Sequence, residues 1–281
     1  MKHQRPDEQA NDATDGLVSG AAQPRAGTGT LGKAMEVLEI IASSSTPMRF
    51  TDVLNNVDQP RGTLHRQISN LIEEGLVVVN RDNSYSPGIR LLKLAALAWS
   101  KNDLCTIAEP HIRQLHNETE ETVHLGQLHG TEVVYLDKIE SRKTVRMHSQ
   151  VGNASPLYCT GIGKAMLAKL PEADARSLSH QMKYIQHTPS TLASADKLLE
   201  ELARIRSSGL SHDREEHEPG IYCVAAAFGG EEFGFIGGIS VTAPAYRIDK
   251  KKLKKWEFEV SAAALAIEND LRARLGPRSL N

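Results

Sequence analysis

The sequence predicts an α+β protein with two domains: an N-terminal winged helix-turn-helix and a larger C-terminal domain built on a β-sheet. Two patterns support this fold class. Three short helical patterns and a small hairpin precede residue 88, and strands paired in hairpins then alternate with helices until about residue 276. A chain of 281 residues with 40% hydrophobic side chains is long enough to bury two ordinary cores.

The first helix follows a tail. Residues 1–29 are expected to be disordered, because Leu17 and Val18 supply too little apolar surface to offset the entropy of ordering. From Leu31 the apolar residues recur at helical spacing, which indicates a helix. The winged helix-turn-helix domain is therefore placed at residues 30–88.

Two more helices and a hairpin complete this domain. A short apolar pattern begins after Thr51, whose hydroxyl suits an N-cap. A longer stripe follows the turn at residues 58–60 and ends at Gly75, a typical helix terminator. Segments 76–79 and 84–86, on either side of a polar turn, predict the two strands of a hairpin. This succession is typical of a winged helix-turn-helix.

Residues 89–103 are predicted to link the domains through a helix. Its apolar residues form two stripes, Leu91, Ala95 and Ala98 on one and Leu92, Ala96 and Trp99 on the other. Burying both stripes requires a second surface, and a partner subunit is the simplest source. The alternative is a helix packed between its own two domains.

The remaining pattern predicts a mixed domain at residues 104–276, followed by a short tail at 277–281. Pro110 suits the first turn of the opening helix. Strands are expected at 122–128, 132–139, 144–149, 221–228 and 235–242, and helices at 162–170, 195–208 and 250–275. The strands are expected to pair in hairpins joined by tight turns, among them Gly229-Gly230, with the helices set against one side of the sheet.

Composition narrows the functional classes. The formal net charge of −2 gives no overall indication of nucleic-acid binding. The three cysteines form no CxxC pair, which argues against structural zinc and disulfides and favours a reducing cytoplasm. No segment has the apolar length of a secretory signal or a membrane span, so a soluble, cytoplasmic protein with no membrane partner is expected.

Motifs for catalysis are also missing. Gly161-Ile162-Gly163-Lys164 fails the phosphate-loop pattern, because Tyr158 stands where that pattern needs glycine and Ala165 follows the lysine. His212 and His217 are five residues apart and fit neither zinc-protease motif. We therefore expect no catalytic residue, no cofactor and no metal, and predict that the protein is not an enzyme.

The third helix carries a small, polar and cationic face that suits the major groove of DNA. At 100° per residue, Arg66 lies almost opposite the core stripe, where it could bond guanine bidentately. The candidate DNA-binding residues are Arg61, Gly62, Thr63, His65, Arg66, Ser69 and Asn70 on this helix and Arg81 at the hairpin tip. The alternative is a solvated face, since residues 30–90 hold six Lys or Arg against seven Asp or Glu.

The sequence resembles the IclR family of bacterial transcription regulators in a collinear series of motifs. They are LHRQI at 64–68, EGLV at 74–77, YS at 85–86, ETVHL at 121–125, VVYL at 133–136, PLYCT at 156–160, GKA at 163–165, TPST at 188–191, DREE at 213–216 and GIYCVA at 220–225. The resemblance implies a winged-helix domain, a dimerising linker helix and an effector domain similar to GAF and PAS sensors, assembled as a homodimer or a dimer of dimers. Residues 146–158 look most like the sugar-acid branch, of the KDG-regulon-repressor type.

The resemblance also implies a pocket for a small carboxylate. Gly161 and Ile162 open a helix whose unpaired N–H groups favour an anion. The other implied effector-binding residues are Asp213, Cys223, Ser240 and Thr242, with Arg146 and His148 as looser candidates. One carboxylate and two hydroxyls suit the hydroxyl groups of a sugar acid. Without the resemblance, ordinary sheet and packing roles would explain all of these residues.

Together these observations predict a DNA-binding regulator of the IclR type that represses a catabolic operon. It is expected to bind a near-palindromic double-stranded operator, with an affinity that a sugar acid or keto acid changes. The alternative is a metabolite-binding or hydrolytic α+β protein whose helical head only dimerises.

Overall fold

The computed structural model describes residues 29–143 and 149–275. The chain divides into two compact units, Met1–Ser100 and Lys101–Asn281. The predicted tails lie outside the described residues, except Gly29, which begins the first helix instead. The predicted strand at 144–149 also lies outside them, apart from Ser149, which is not in a strand.

The described part of the N-terminal unit is a winged helix-turn-helix, as predicted. Its elements are the helices α1 (Gly29–Ser43), α2 (Phe50–Asn55), α3 (Arg61–Glu73) and α4 (Ile89–Ser100) and the paired strands β1 (Val77–Val79) and β2 (Tyr85–Pro87). One apolar core joins them, made by Val37, Leu38, Ile41, Val53, Leu64, Ile68, Leu71 and Val77. Seven of these eight residues lie on the inner faces of α1, α2 and α3, and Val77 lies on β1, the first strand of the hairpin.

The predicted N-cap of α2 is wrong. The helix begins at Phe50 after Arg49, so Thr51 lies inside its first turn. The Asp52 carboxylate accepts the backbone N–H of Arg49 at 2.7 Å, and the Arg49 carbonyl accepts the N–H groups of Asp52 and Val53. A carboxylate three residues along therefore holds the start of the helix, in the manner of one half of a capping box.

The C-terminal unit is an antiparallel sheet with helices. Its described elements are α5 (Asp103–Thr119), β3 (Thr122–His129), β4 (Glu132–Ile139), β5 (Ala154–Pro156), α6 (Gly161–Lys169), α7 (Glu172–Gln181), α8 (Ala195–Ser208), β6 (Ser211–Arg214), β7 (Ile221–Gly230), β8 (Phe235–Pro244) and α9 (Lys250–Leu275). Across the sheet the strands are ordered β5-β4-β3-β8-β7-β6. The three predicted helices at 162–170, 195–208 and 250–275 correspond to α6, α8 and α9.

Helices cover both faces of this sheet, which corrects the prediction that they lie on one side. Val224 and Ala226 of β7 pack in the core that contains α5 and α9, whereas Cys223 and Ala225 pack in the core that contains α6 and α8. Successive side chains of a strand point to opposite faces of the sheet. A strand with apolar residues at consecutive positions must therefore pack against other elements on both faces.

The role predicted for Pro110 is also wrong. Helix α5 begins at Asp103, where the side-chain oxygen of Asn102 accepts the N–H groups of Leu104 and Cys105 at 3.1 and 3.4 Å. Pro110 therefore lies inside the helix, on its exposed side. There its missing N–H removes a single backbone hydrogen bond, while the buried stripe continues past it.

The remaining strands differ from the prediction in length. Those predicted at 122–128 and 132–139 are confirmed as β3 and β4, while β7 and β8 run two residues further than predicted. A short 3-10 turn at Glu231–Phe233 joins them, so Gly229-Gly230 belongs to β7 rather than to the turn. The strands β5 and β6 were not predicted, because three and four residues are too few to show alternation. The helix α7 was also not predicted, because only Ala175 and Ser179 of its ten residues are buried and it therefore has no clear apolar stripe.

Candidate functional site

The predicted DNA-reading face of α3 is exposed. Arg61, Gly62, His65, Arg66, Ser69 and Asn70 are exposed and Thr63 is half-buried, while Leu64, Ile68 and Leu71 on the opposite side are buried. A Cβ added at Gly62 would meet no atom within 4 Å. The first turn of α3 is therefore open to close approach by another molecule.

The start of α3 leaves backbone donors available. The carbonyl of Pro60 accepts the N–H groups of Thr63 and Leu64 at 2.9 and 3.1 Å. The N–H groups of Arg61 and Gly62 have no acceptor within the helix, and Pro60 supplies no side-chain cap. The guanidinium carbon of Arg61 lies 5.2 Å from the centre of the Phe50 ring. This combination of donors and a cation suits a phosphate group.

Hydrogen bonds hold the tip of the hairpin in one shape. The side-chain amide of Asn80 donates to the hydroxyls of Ser84 and Ser86, each at 2.9 Å. The Ser84 hydroxyl donates to Asp82 at 2.6 Å, which holds the pKa of that carboxyl below its usual value. Arg81, at this tip, is exposed. The hairpin therefore presents Arg81 from a hydrogen-bonded turn.

The C-terminal unit contains a cavity of about 150 Å³. Six of the predicted effector-binding residues lie in its wall, namely Gly161, Ile162, Asp213, Cys223, Ser240 and Thr242. Sheet pairing explains how distant segments meet there, because Cys223 of β7 is the register partner of both Asp213 and Thr242. The two looser candidates, Arg146 and His148, lie outside the described residues.

The N-terminus of α6 opens on this cavity. The Thr160 hydroxyl accepts the N–H of Gly163 at 3.2 Å, and the Thr160 carbonyl accepts that of Lys164 at 3.0 Å. The N–H groups of Gly161 and Ile162 are thus left without an intrahelical acceptor. A Cβ at residue 161 would lie 2.9 Å from the sulfur of Cys223, so glycine is needed for this close approach. Such a helix start suits an anionic group.

A neutral histidine that the sequence prediction missed lines the same cavity. The imidazole Nε2 of His124 lies 2.7 Å from the Ser149 hydroxyl, and its Nδ1 lies 3.4 Å from the hydroxyls of Ser240 and Thr242. Burial lowers the pKa of His124 to about 3, so the ring is neutral at pH 7 and has one donor and one acceptor nitrogen. The ring of Tyr135, which also lines the cavity, is centred 5.1 Å away.

Alternation along strand β3 gave no signal for His124, because it places this residue on the face opposite Val123 and Leu125, where a polar side chain ordinarily meets solvent. Helices cover both faces of the sheet, so His124 is buried and its ring requires a hydrogen-bonding partner. No signal marked Tyr135 either, because tyrosine is common in strands of every kind.

Asp213 is one of two acidic residues in the cavity wall, the other being Glu218. The Asp213 carboxylate accepts the N–H of Glu216 at 2.7 Å. Burial raises the pKa of Asp213 to about 7, although that hydrogen bond acts in the opposite direction. The charge of Glu216 adds to the rise, and that of Lys164 opposes it. Asp213 therefore changes its charge near neutral pH.

A pH-dependent stability follows. Because the native pKa of Asp213 lies above its unfolded value, the stability that this group contributes is complete below about pH 4 and is lost as the pH rises through about 7. Asp213→Asn keeps the acceptor oxygen but cannot ionise. Because only the parent chain loses stability as Asp213 ionises, the free energy of unfolding of the variant relative to that of the parent should rise by about 2 kcal/mol between pH 5 and pH 8. Urea unfolding at both pH values measures this; an advantage independent of pH contradicts it.

A buried ion pair lies next to Asp213. The Lys164 ammonium donates to both carboxylate oxygens of Glu216 at 2.5 Å, and the lysine side chain is fully buried. Burial raises the pKa of Glu216, whereas the charge of Lys164 lowers it. The Glu216 carbonyl accepts the hydroxyl of Thr191 at 2.6 Å. The pair joins α6 to the segment that follows β6, and sequence analysis missed it because its members are 52 residues apart.

Two family models match this chain. The model described as "IclR helix-turn-helix domain" matches residues 30–81, and the model described as "Bacterial transcriptional regulator IclR C-terminal" matches residues 96–269. Together they cover most of the sequence. The chain belongs to the IclR family of bacterial transcriptional regulators.

Individual relatives agree with this membership. This IclR-family chain is 30% identical over 240 residues to the transcriptional regulator XynR of Escherichia coli, covering 85% of this chain and 95% of XynR. It is 32% identical over 220 residues to KdgR of E. coli, covering 78% of this chain and 83% of KdgR. These relatives are regulators, which confirms the resemblance stated above and the prediction that the protein is not an enzyme.

A solved structure shares the fold. An IclR homolog from Microbacterium hydrocarbonoxydans, in complex with 4-hydroxybenzoate, aligns with a TM-score of 0.72 and 23% identity over 87% of this chain and 99% of that one. Across residues 29–143 and 149–275 of this IclR-family protein, helices long and apolar enough to cross a membrane are absent.

Proposed function

We propose that this IclR-family regulator is a cytoplasmic repressor of a catabolic operon whose operator affinity is changed by a small carboxylate, with a sugar acid or a keto acid favoured. The observation that carries the proposal is the start of α6 at the cavity, where two backbone N–H groups are available to an anion. Asp213 and the hydroxyls of Ser240 and Thr242 stand in the same wall. A carboxylate at the helix start thus leaves hydrogen-bonding groups for hydroxyl or carbonyl oxygens elsewhere in the ligand.

The ligand of the M. hydrocarbonoxydans homolog supports the carboxylate, because 4-hydroxybenzoate combines a carboxylate with a hydroxyl. A cavity of about 150 Å³ lined largely by polar groups favours a small aliphatic hydroxy or keto acid here. Neutral His124 supports this choice, since it offers a hydrogen bond without adding a positive charge.

Binding of the acid should depend on Asp213. Asp213→Ala removes the acceptor that faces the cavity and should weaken binding of the acid at least about tenfold, or about 1.4 kcal/mol, while leaving operator binding without the acid unchanged. Calorimetric titration with a panel of sugar and keto acids identifies the ligand and measures the loss. Asp174→Ala, which removes an exposed aspartate of α7, is the matched control. Equal affinities in the parent and Asp213→Ala chains would rule out this role.

We also propose that α3 enters the major groove of a near-palindromic operator and that the chain acts as a homodimer or a dimer of dimers. Arg66, Ser69 and Asn70 would face base edges, and Arg81 would reach the backbone or the minor groove from the wing. The exposed first turn of α3, with Arg61, Thr63 and His65, supplies donors for a phosphate.

Helix α4 supports dimerisation. None of its residues is buried. Four of its large apolar side chains are exposed: Leu92 to 67%, Leu94 to 50%, Leu97 to 59% and Trp99 to 42%. So much exposed apolar surface on one helix marks an interaction surface. A second copy of α4 is the occupant that symmetry makes simplest.

Charge on that surface should break the dimer. Leu92→Glu places a charge in one of the two apolar stripes and should shift the protein toward a monomer of 30.8 kDa. Because Leu92 is largely exposed in the single chain, the variant should keep its fold. Lys93→Glu, off both stripes, is the matched control. Light scattering during gel filtration reports the mass, and an unchanged dimer in Leu92→Glu would contradict α4 as the interface.

A further inference from the structure

A polar side chain lies in the apolar core of the N-terminal unit. Gln67 of α3 is only 2% exposed, and within the described residues neither the nitrogen nor the oxygen of its side-chain amide has a hydrogen-bond partner. Leu64, Ile68 and Leu71 of the same helix belong to the apolar core. Because buried polar groups are nearly always hydrogen-bonded, an amide in this environment is an exception that needs a physical reason.

Gln67 lies at the edge between the buried and the exposed faces of α3. At about 100° per residue, it is about 40° from the buried Leu71 and about 40° from Thr63, which is half-buried and borders the exposed face. Asn70, on the same side as Thr63, is exposed. Since a glutamine side chain has several rotatable bonds, this position allows its amide to be placed either in the core or on the exposed face.

The core is not the best environment for an amide. The hydrocarbon part of Gln67 gains from being packed there, but its nitrogen and oxygen lose the hydrogen bonds that water supplies in the unfolded chain. Methionine has a similar length and volume and would fill the same space without that loss. Glutamine at this position therefore lowers the stability of the free protein, and outward rotation becomes favourable once a partner supplies both a donor and an acceptor.

The chemistry of the amide indicates the partner. It offers a donor and an acceptor side by side, and the edge of adenine in the major groove offers the complementary N7 acceptor and N6 donor. We propose that Gln67 rotates out of the core when α3 enters the major groove, donates to N7 and accepts from the N6 amino group of one adenine in each half-site. This inference rests on the proposed role of α3 in DNA binding, and it adds a base-reading residue that does not belong to the exposed face.

A scan of the operator, one base pair at a time, tests the proposal. Fluorescence anisotropy gives the affinity of the full chain for operators in which each base pair is replaced in both half-sites. Replacing one particular A·T pair should weaken binding of the parent chain at least about tenfold, whereas Gln67→Met should bind that operator and the unchanged one equally well. Gln114→Met, which replaces an exposed glutamine of α5, is the matched control and should keep every preference of the parent chain.

The stability of Gln67→Met separates base reading from a structural role. The substitution removes an amide that has no partner in the described part of the chain, so the Tm of the free variant should rise by roughly 2–4 °C while its affinity for the operator falls. A residue that only supports the fold would lower both together. A Tm below that of the parent chain, or retention of every base preference, overturns the proposal.

Gln67→Lys should change the preference instead of removing it. Lysine donates to O6 and N7 of guanine, so the position that Gln67 reads should change from A·T to G·C. The hydrocarbon stem of lysine can pack at the edge of the core while its ammonium extends outward, which keeps the fold. If the parent chain shows no base preference at any position, the proposed function and this inference are both wrong. If both Gln67 variants keep all the preferences of the parent chain, this inference alone is wrong.

Discussion

Arg66→Ala should lower the affinity for the operator by about 10²- to 10⁴-fold without affecting folding. A bidentate contact between arginine and guanine discriminates by about 1–3 kcal/mol, and a homodimer would lose two such contacts. Arg66 lies on the exposed face of α3, and within the described residues it takes part in no ion pair, so its removal leaves the fold intact. Fluorescence anisotropy with operator DNA and with random DNA separates specific loss from general loss.

Two comparisons make this result specific. Arg176→Ala, on the exposed side of α7, removes the same charge far from α3 in sequence and should leave DNA binding unchanged. Arg81→Ala should weaken binding to all DNA sequences alike and reduce the salt dependence by about one phosphate contact. If Arg66→Ala binds the operator as tightly as the parent chain, α3 does not read the bases.

Lys164→Met should destabilise the protein by about 3–5 kcal/mol. The substitution keeps the approximate volume of the side chain but leaves the Glu216 carboxylate buried beside an apolar group. Removing one member of a buried ion pair costs more than the pair itself contributes, because the remaining charge must be buried alone or become protonated. Thermal unfolding should show a Tm lower by roughly 10 °C, given about 2–4 °C per kcal/mol for a protein of this size.

The double variant Lys164→Met/Glu216→Gln distinguishes a charge effect from loss of packing. Once the carboxylate is replaced by an uncharged amide, most of the stability lost in Lys164→Met should return. If the double variant is as unstable as the sum of the two single ones, packing around Lys164 rather than its ion pair accounts for the loss.

Much of the fold could be predicted from the sequence because its patterns are local. The apolar stripe of α3, the hairpin that follows it and the bounds of α9 all follow from periodicity and from helix-terminating residues. Two of the errors occurred where another local interaction prevailed. Asp52 fixed the start of α2 in place of Thr51, and Asn102 started α5 well before Pro110.

The candidate site was less accessible to sequence analysis, because it depends on sheet register. Asp213, Cys223 and Thr242 become neighbours only through the pairing of β6, β7 and β8. Their grouping came from the family resemblance rather than from spacing. His124 reaches the cavity through its register with Ser240, a pairing between residues 116 positions apart that periodicity cannot reveal.

Binding of the full-length protein to DNA from its own upstream region, with and without a panel of acids, tests the central claim most directly. Fluorescence anisotropy at two salt concentrations should show specific binding that weakens with salt, and one sugar acid or keto acid should change the affinity at least about tenfold, or about 1.4 kcal/mol. No preference over random DNA, or a specific affinity that none of the acids alters, would contradict an effector-controlled repressor.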